Sequence, residues 1–176
     1  MRLRDVFLPN QPRLPWRRLV LAALGVAVVV ALLGLLGESV ALLPLFVGFA
    51  PTCMLVFALP EAPVSQPAAV IGGQLVAALV GVAGALVLPV HWWSIALVAG
   101  CSVAAMAVLR IIHPPAIANT VLAFVTGAGV MFLLVPVLAA STAIVAVALV
   151  WHRCTGTRYP APGLLGGPSP RRRGEA

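Results

Sequence analysis

Leu19–Gly37, LVLAALGVAVVVALLGLLG, contains no charged side chain and no side chain that hydrogen-bonds. A helix needs roughly 20 apolar residues to cross the hydrocarbon core of a bilayer. A cleaved signal peptide has an apolar region of only about 7 to 15, so the run reads as a retained span. Working outward, apolar segments follow at 18–37, 40–59, 69–89, 94–112, 115–127 and 129–151. Only helices and closed barrels satisfy their backbone in lipid, and these runs lack the alternation of barrel strands. The expected fold is an all-α polytopic transmembrane bundle. It has four full spans plus two short or re-entrant segments, 40–59 and 115–127, or six spans.

Composition requires the same solvent. Charged residues make up 9% and hydrophobic ones 62%, where a soluble domain has about 25% charged, and the mean hydropathy is +1.11. The 11 basic residues outnumber 4 acidic ones, but their placement argues against nucleic acid. Arg2, Arg4, Arg13, Arg17 and Arg18 precede the first run, Arg153, Arg158, Arg171, Arg172 and Arg173 follow the last, and Arg110 alone lies between. Basic flanks are cytoplasmic, which puts both termini on the cytoplasmic side of a plasma (inner) membrane and makes the number of crossings even. The same clusters can meet anionic headgroups of membrane lipids. The chain divides into a basic cytoplasmic segment (1–17), a transmembrane bundle (18–152) and a basic tail (153–176) whose Pro, Gly and Arg content predicts disorder.

Gly37-Glu38-Ser39, Pro60–Pro67, Pro89–Trp93 and His113-Pro114-Pro115 punctuate the runs, because proline disfavours helix in the residue before it. Trp16, Trp92, Trp93 and Trp151 are placed as interfacial anchors. Ala50–Phe57 and Ile117–Phe124 share a small, polar, then apolar pattern, the mark of a candidate 3+3 internal repeat, which in transporters frames the solute site.

Few polar residues fall within or at the edge of apolar segments: Thr52, Gln74, Ser94, Ser102, Arg110, His113, Asn119, Thr120, Thr126, Ser141 and Thr142. Polar groups at membrane depth are expensive and face a bundle interior or a cavity. Arg110 and His113, three apart, share a face if the helix runs through both. Pro114 and Pro115 stop that helix and can start the next, whose first amides and dipole then form an anion site. Arg110, His113, Pro114, Pro115, Asn119 and Thr120 thus outline a cradle for a small anion, with Thr52 and Gln74 as further candidates. The bland alternative has Arg110 snorkelling to headgroups and His113 capping its own helix. Gly72, Gly73, Ala77, Ala78, Gly81 and Gly84 form a small-residue face for close helix approach.

Enzymatic chemistry finds no support. Asp5, Glu38, Glu61 and Glu175 all lie near termini or loops, leaving no acid-base set within a span. Phosphate-loop, zinc and haem motifs are absent, so no cofactor and no metal is expected. Cys53, Cys101 and Cys154 lack ligand spacing and read as small packing residues.

At His113-Pro114-Pro115 the sequence resembles the HPP family of integral membrane proteins, named for that triplet. The likeness covers roughly 44–151 and includes Phe49-Ala50-Pro51-Thr52, Ser65-Gln66-Pro67, Ile71-Gly72-Gly73 and Leu109-Arg110. The resemblance implies a compact bundle usually described with four transmembrane segments, and an association of some members with nitrite transport. The chain departs from the family's pattern at Ala68-Ala69 (usually Arg-Asn), at Gln74 (usually His) and at Ile117-Ala118-Asn119 (usually Gly-Ala-Thr). The functional expectation is a transporter or channel for a small anionic or polar solute, nitrite among them. Its rival is a non-transporting membrane subunit or assembly factor that packs against partner helices. The thin bundle also makes a homo-oligomer a candidate assembly.

Overall fold

Apolar runs separated by proline clusters become six helical segments in the computed structural model, which describes residues 13–39, 46 and 49–161. They are α1 (Trp16–Ser39), α2 (Ala50–Ala58), α3 (Ala68–Val87), α4 (Trp92–Val108), α5 (Ala116–Thr126) and α6 (Leu133–Thr155). No strand occurs among the described residues. Three helices, α1, α3 and α6, are long and apolar enough to cross a membrane, while α4 and α5 are shorter. The expected segment 40–59 is helical over Ala50–Ala58, and its residues 40–45, 47 and 48 lie outside the described residues.

The local chemistry accounts for the boundaries. Pro51 sits in the first turn of α2 and Pro115 is the residue that opens α5, both positions where the missing amide hydrogen leaves nothing unsatisfied. At the start of α4, Ser94 Oγ accepts from the His91 amide at 3.0 Å, closing a capping box. In α6, Pro136 forces Val135 out of helical geometry (φ −134°, ψ 112°), so the run expected as one piece over 129–151 is kinked there. Three helix ends close with a residue in the left-handed region. Two are glycines, Gly127 and Gly156, and the third is Arg110 with φ 58°.

Packing runs the helices alternately up and down. Arg18 and Leu21 near the start of α1 line one pocket with Phe57 and Ala58 at the end of α2, so α2 returns along α1. Gly72 of α3 meets Ile111 beyond the end of α4, and Gly84 meets Val98 near its start, so these two are antiparallel. Gly73, Gly81 and Gly84 meet His113, Thr120 and Phe124 in that order, so α5 runs parallel to α3. Apolar side chains gain little by leaving lipid for a helix interface, and close backbone approach supplies the attraction instead. A Cβ on Gly81 would collide with the Thr120 carbonyl oxygen, and one on Gly73 would lie 2.8 Å from the Ile111 carbonyl oxygen. The small-residue face read from sequence therefore packs against α5, α4 and the segment that joins them.

The expected tail boundary at 152/153 falls inside α6, which continues to Thr155. Residues 157–161 then turn back onto the Pro60–Pro67 loop. Tyr159 is buried and its hydroxyl donates to the Ser65 carbonyl at 3.1 Å. The Ala161 amide donates to Gln66 Oε1 at 2.9 Å. A loose tail does not describe these residues, because one large aromatic and two loop acceptors give them something to bind. Residues 162–176 lie outside the described residues.

Candidate functional site

Most of the polar residues singled out from sequence are drawn into the interior. Thr52, Ser102, His113 and Thr120 are fully buried, Gln74 nearly so, and Asn119 is 8% exposed. Thr126 and Thr142 stay exposed, each donating to its own helix, to Leu122 and Leu138 respectively.

Four of the buried groups form one directional chain across three helices and a loop. Asn119 Nδ2 of α5 donates to Gln74 Oε1 of α3 at 2.6 Å. Gln74 Nε2 donates to Thr52 Oγ1 of α2 at 2.9 Å. Thr52 Oγ1 and His113 Nε2 are 3.0 Å apart, and His113 Nδ1 lies 2.8 Å from the Val64 carbonyl oxygen. A carbonyl only accepts, so Nδ1 carries the hydrogen and Nε2 of the neutral ring is the acceptor for the Thr52 hydroxyl. Every link thus has one donor and one acceptor. A second knot forms at the next residue of α5. Thr120 Oγ1 donates to the Ala77 carbonyl at 2.9 Å and shares a 2.8 Å hydrogen bond with Ser102 Oγ of α4.

The other end of α2 is tied by a residue the sequence reading passed over. The Val56 carbonyl would normally accept from the amide four residues on, but that residue is Pro60, which has none. His152 Nε2 of α6 donates to it at 3.1 Å. The missing amide was visible in the sequence as Pro60; the partner, 96 positions away, was not.

Arg110 does not join this chain. α4 ends at Val108, the Arg110 amide donates to the Ala107 carbonyl at 3.1 Å and the Ile111 amide to the Met106 carbonyl at 3.0 Å. This is the glycine-type closure of a helix, with arginine in the glycine position, and it turns the chain so that Arg110 is exposed while His113 is fully buried. The shared helical face expected for the two is absent because the helix stops before either. Pro114 is exposed and Pro115 half-buried. The first amides of α5 are also not free: those of Ala116, Ile117 and Ala118 donate to the carbonyls of His113, Pro114 and Pro115 at 3.0, 3.3 and 3.3 Å. The anion cradle of guanidinium and open helix end is replaced by a closed, uncharged chain.

Two cavities open elsewhere. An apolar groove between α1 and α6 runs along Leu33, Leu36 and Val147. A pocket of about 200 Å³ lies where the start of α1, the end of α2 and the end of α6 meet, with Arg18, Glu61 and His152 in its wall. No group of three or more potential metal ligands occurs among the described residues.

Apolar helices of spanning length, a few buried polar side chains and arginine-bearing ends define a multi-pass helical membrane protein. Residues 11–160 match the family model described as "HPP, transmembrane region". The chain belongs to that family of membrane proteins. Neither a curated protein nor a solved structure matches the chain.

Proposed function

We propose that this protein passes a small polar solute or anion across a plasma (inner) membrane, along the seam where α2, α3 and α5 meet. The observation that supports this most directly is the convergence of Thr52, Gln74, His113 and Asn119 on one chain beside two short, proline-started helices. Interrupted helices at a polar junction are how transporter folds build solute sites. Buried hydrogen-bond donors also suit an acceptor-only anion such as nitrite, the solute the family resemblance brings into view. In the closed arrangement these side chains bond to one another. Solute entry therefore means exchanging Asn119–Gln74 and Gln74–Thr52 for bonds to the guest, which separates α5 from α2.

Six crossings with both termini cytoplasmic fit this reading. The alternating helix directions support it, as does the bond from Tyr159 to Ser65, which ties the Pro60–Pro67 loop to the same end as the last helix. α2 and α5 then run oppositely, as two halves of an inverted 3+3 repeat require, and Thr52 and Asn119 hold equivalent places in it. Single cysteines at Glu38, Val64 and Arg110 test the topology with an impermeant maleimide. Six crossings put 64 and 110 on the side of Cys154 and 38 opposite. Four crossings, with two re-entrant segments, put 38, 64 and 110 together.

The transport test is uptake of nitrite and other small anions into proteoliposomes. Asn119→Leu and His113→Ala, each checked for intact folding by gel filtration, are expected to abolish flux, while the exposed Arg110→Gln is expected to retain it. Parental flux through both interior variants would rule out the seam as the route. A second reading, a non-transporting subunit or assembly factor, draws support from the bonding of these side chains to one another, since a buried polar network is also a device for fixing one helix arrangement. A stoichiometric partner captured in mild detergent, with no solute flux, would favour it.

A further inference from the structure

Among the described residues one buried side-chain nitrogen lacks a hydrogen-bond partner, Nδ1 of His152. The ring is 3% exposed and sits between Phe57 and Tyr159, with centroids 5.5 and 5.1 Å away. Its Nε2 hydrogen is committed to the Val56 carbonyl, so Nδ1 of the neutral ring is an acceptor. A buried acceptor left unmatched costs about 1 to 3 kcal/mol, and such an atom calls for a donor from outside the described residues. His152 belongs to the wall of the pocket at the arginine-bearing end, together with Arg18, Glu61, Thr155, Leu21 and Phe57.

Those residues specify a guest. One cation and one carboxylate on the same wall select a molecule carrying both signs. The acceptor on His152 requires that its cation bear N–H hydrogens. A volume of about 200 Å³ is below the roughly 300–1,000 Å³ of sites for drug-sized ligands, so the guest is of headgroup size. Leu21 and Phe57 offer an apolar wall beside the charges, and Trp151 lines the same pocket, an aromatic of the kind that settles at the lipid–water boundary.

We propose that this pocket binds the headgroup of phosphatidylethanolamine, with the phosphate at Arg18 and the ammonium between Glu61 and His152. Nδ1 is enclosed in this arrangement, so binding requires the imidazole to turn toward the pocket between its two aromatic neighbours. The shared chemistry is a phosphoethanolamine zwitterion, and membrane lipid is its source. The proposal is independent of whether the polar seam transports anything.

The test is the thermal midpoint and lipid affinity of the purified full-length protein in nanodiscs of phosphatidylcholine doped with one probe lipid. Phosphatidylethanolamine is expected to bind about tenfold tighter than phosphatidylcholine, whose quaternary ammonium has no N–H, a factor equivalent to about 1.4 kcal/mol. It is expected to exceed phosphatidylglycerol, which lacks a cation, by a similar factor. Arg18→Gln and Glu61→Gln, both at exposed positions, each lower phosphatidylethanolamine affinity, and His152→Phe removes the preference over phosphatidylcholine. Equal affinity for all three lipids, or a preference untouched by Glu61→Gln, overturns the proposal. If free phosphoethanolamine raises the midpoint in detergent as the lipid does, the zwitterion site stands and its assignment to lipid falls.

Discussion

Replacing Gln74 with leucine tests the buried chain at its centre. The side chain is 1% exposed and bridges Asn119 to Thr52 through bonds of 2.6 and 2.9 Å. Leucine is of similar size and suits the surroundings, so the change removes two interhelical hydrogen bonds with little change in volume. Side-chain hydrogen bonds between membrane helices average about 0.6 kcal/mol and reach about 1.7, which puts the loss of two near 1 to 3 kcal/mol. Most of it falls on Asn119 Nδ2, whose partner disappears, whereas Thr52 keeps its link to His113. That asymmetry makes a sharper expectation for the double variant. Asn119→Leu alone orphans Gln74 Oε1, but Gln74→Leu with Asn119→Leu leaves neither group unmatched. The pair should therefore cost less than the sum of the singles by about 1 kcal/mol, since a removed partner is worse than two removed partners. Reversible unfolding in mixed micelles, followed by circular dichroism, reads all four proteins. Strictly additive losses, or a Gln74→Leu protein as stable as the parent, would refute the chain as an energetic unit.

Three further outcomes follow from particular backbone and side-chain environments. Arg110→Gly should stabilise the protein by about 1 kcal/mol, because an L-residue in the left-handed region costs roughly that much and the side chain is exposed; a lower midpoint in the same unfolding assay counts against the helix closure described. Gly81→Ala should destabilise by about 1 to 3 kcal/mol, the usual range for overpacking, because the new methyl meets the Thr120 backbone. Gly100→Ala, with nothing within 4 Å, serves as its control and should change little. Tyr159 lies beyond the last helix, and burial pushes its hydroxyl above the ordinary tyrosine value. A raised folded-state value means its contribution is complete below about pH 10 and is lost as the pH climbs beyond it. Tyr159→Phe should flatten that alkaline fall in stability relative to the parent.

The sequence made the apolar segments legible because lipid punishes ambiguity: a helix there must be apolar, and the proline clusters mark where the chain breaks. It also identified the interior polar residues, since Thr52, Gln74, Ser102, His113, Asn119 and Thr120 had no cheap alternative to burial. Arg110 was misplaced because hydropathy continues through Ile111 and Ile112 while the helix does not, and nothing in the composition reveals a left-handed arginine. The open anion end failed for a related reason. Pro114 and Pro115 lack amide hydrogens but keep carbonyls, and those carbonyls take up the first amides of α5. His152 and Tyr159 escaped notice because their partners, Val56 and Ser65, are backbone groups almost a hundred positions away, a distance over which residue patterns say nothing.

Pro60 has a bearing on how the chain is made. By removing the amide that would have closed the last turn of α2, it leaves the Val56 carbonyl dependent on an imidazole that the ribosome delivers 96 residues later. Through most of synthesis α2 is a nine-residue helix whose last turn lacks this bond. Its final seat is therefore taken only when α6 arrives. Nascent chains halted before His152 should leave the second segment exposed to protease or to the insertion machinery, and release of the last helix should lock it in a single late step.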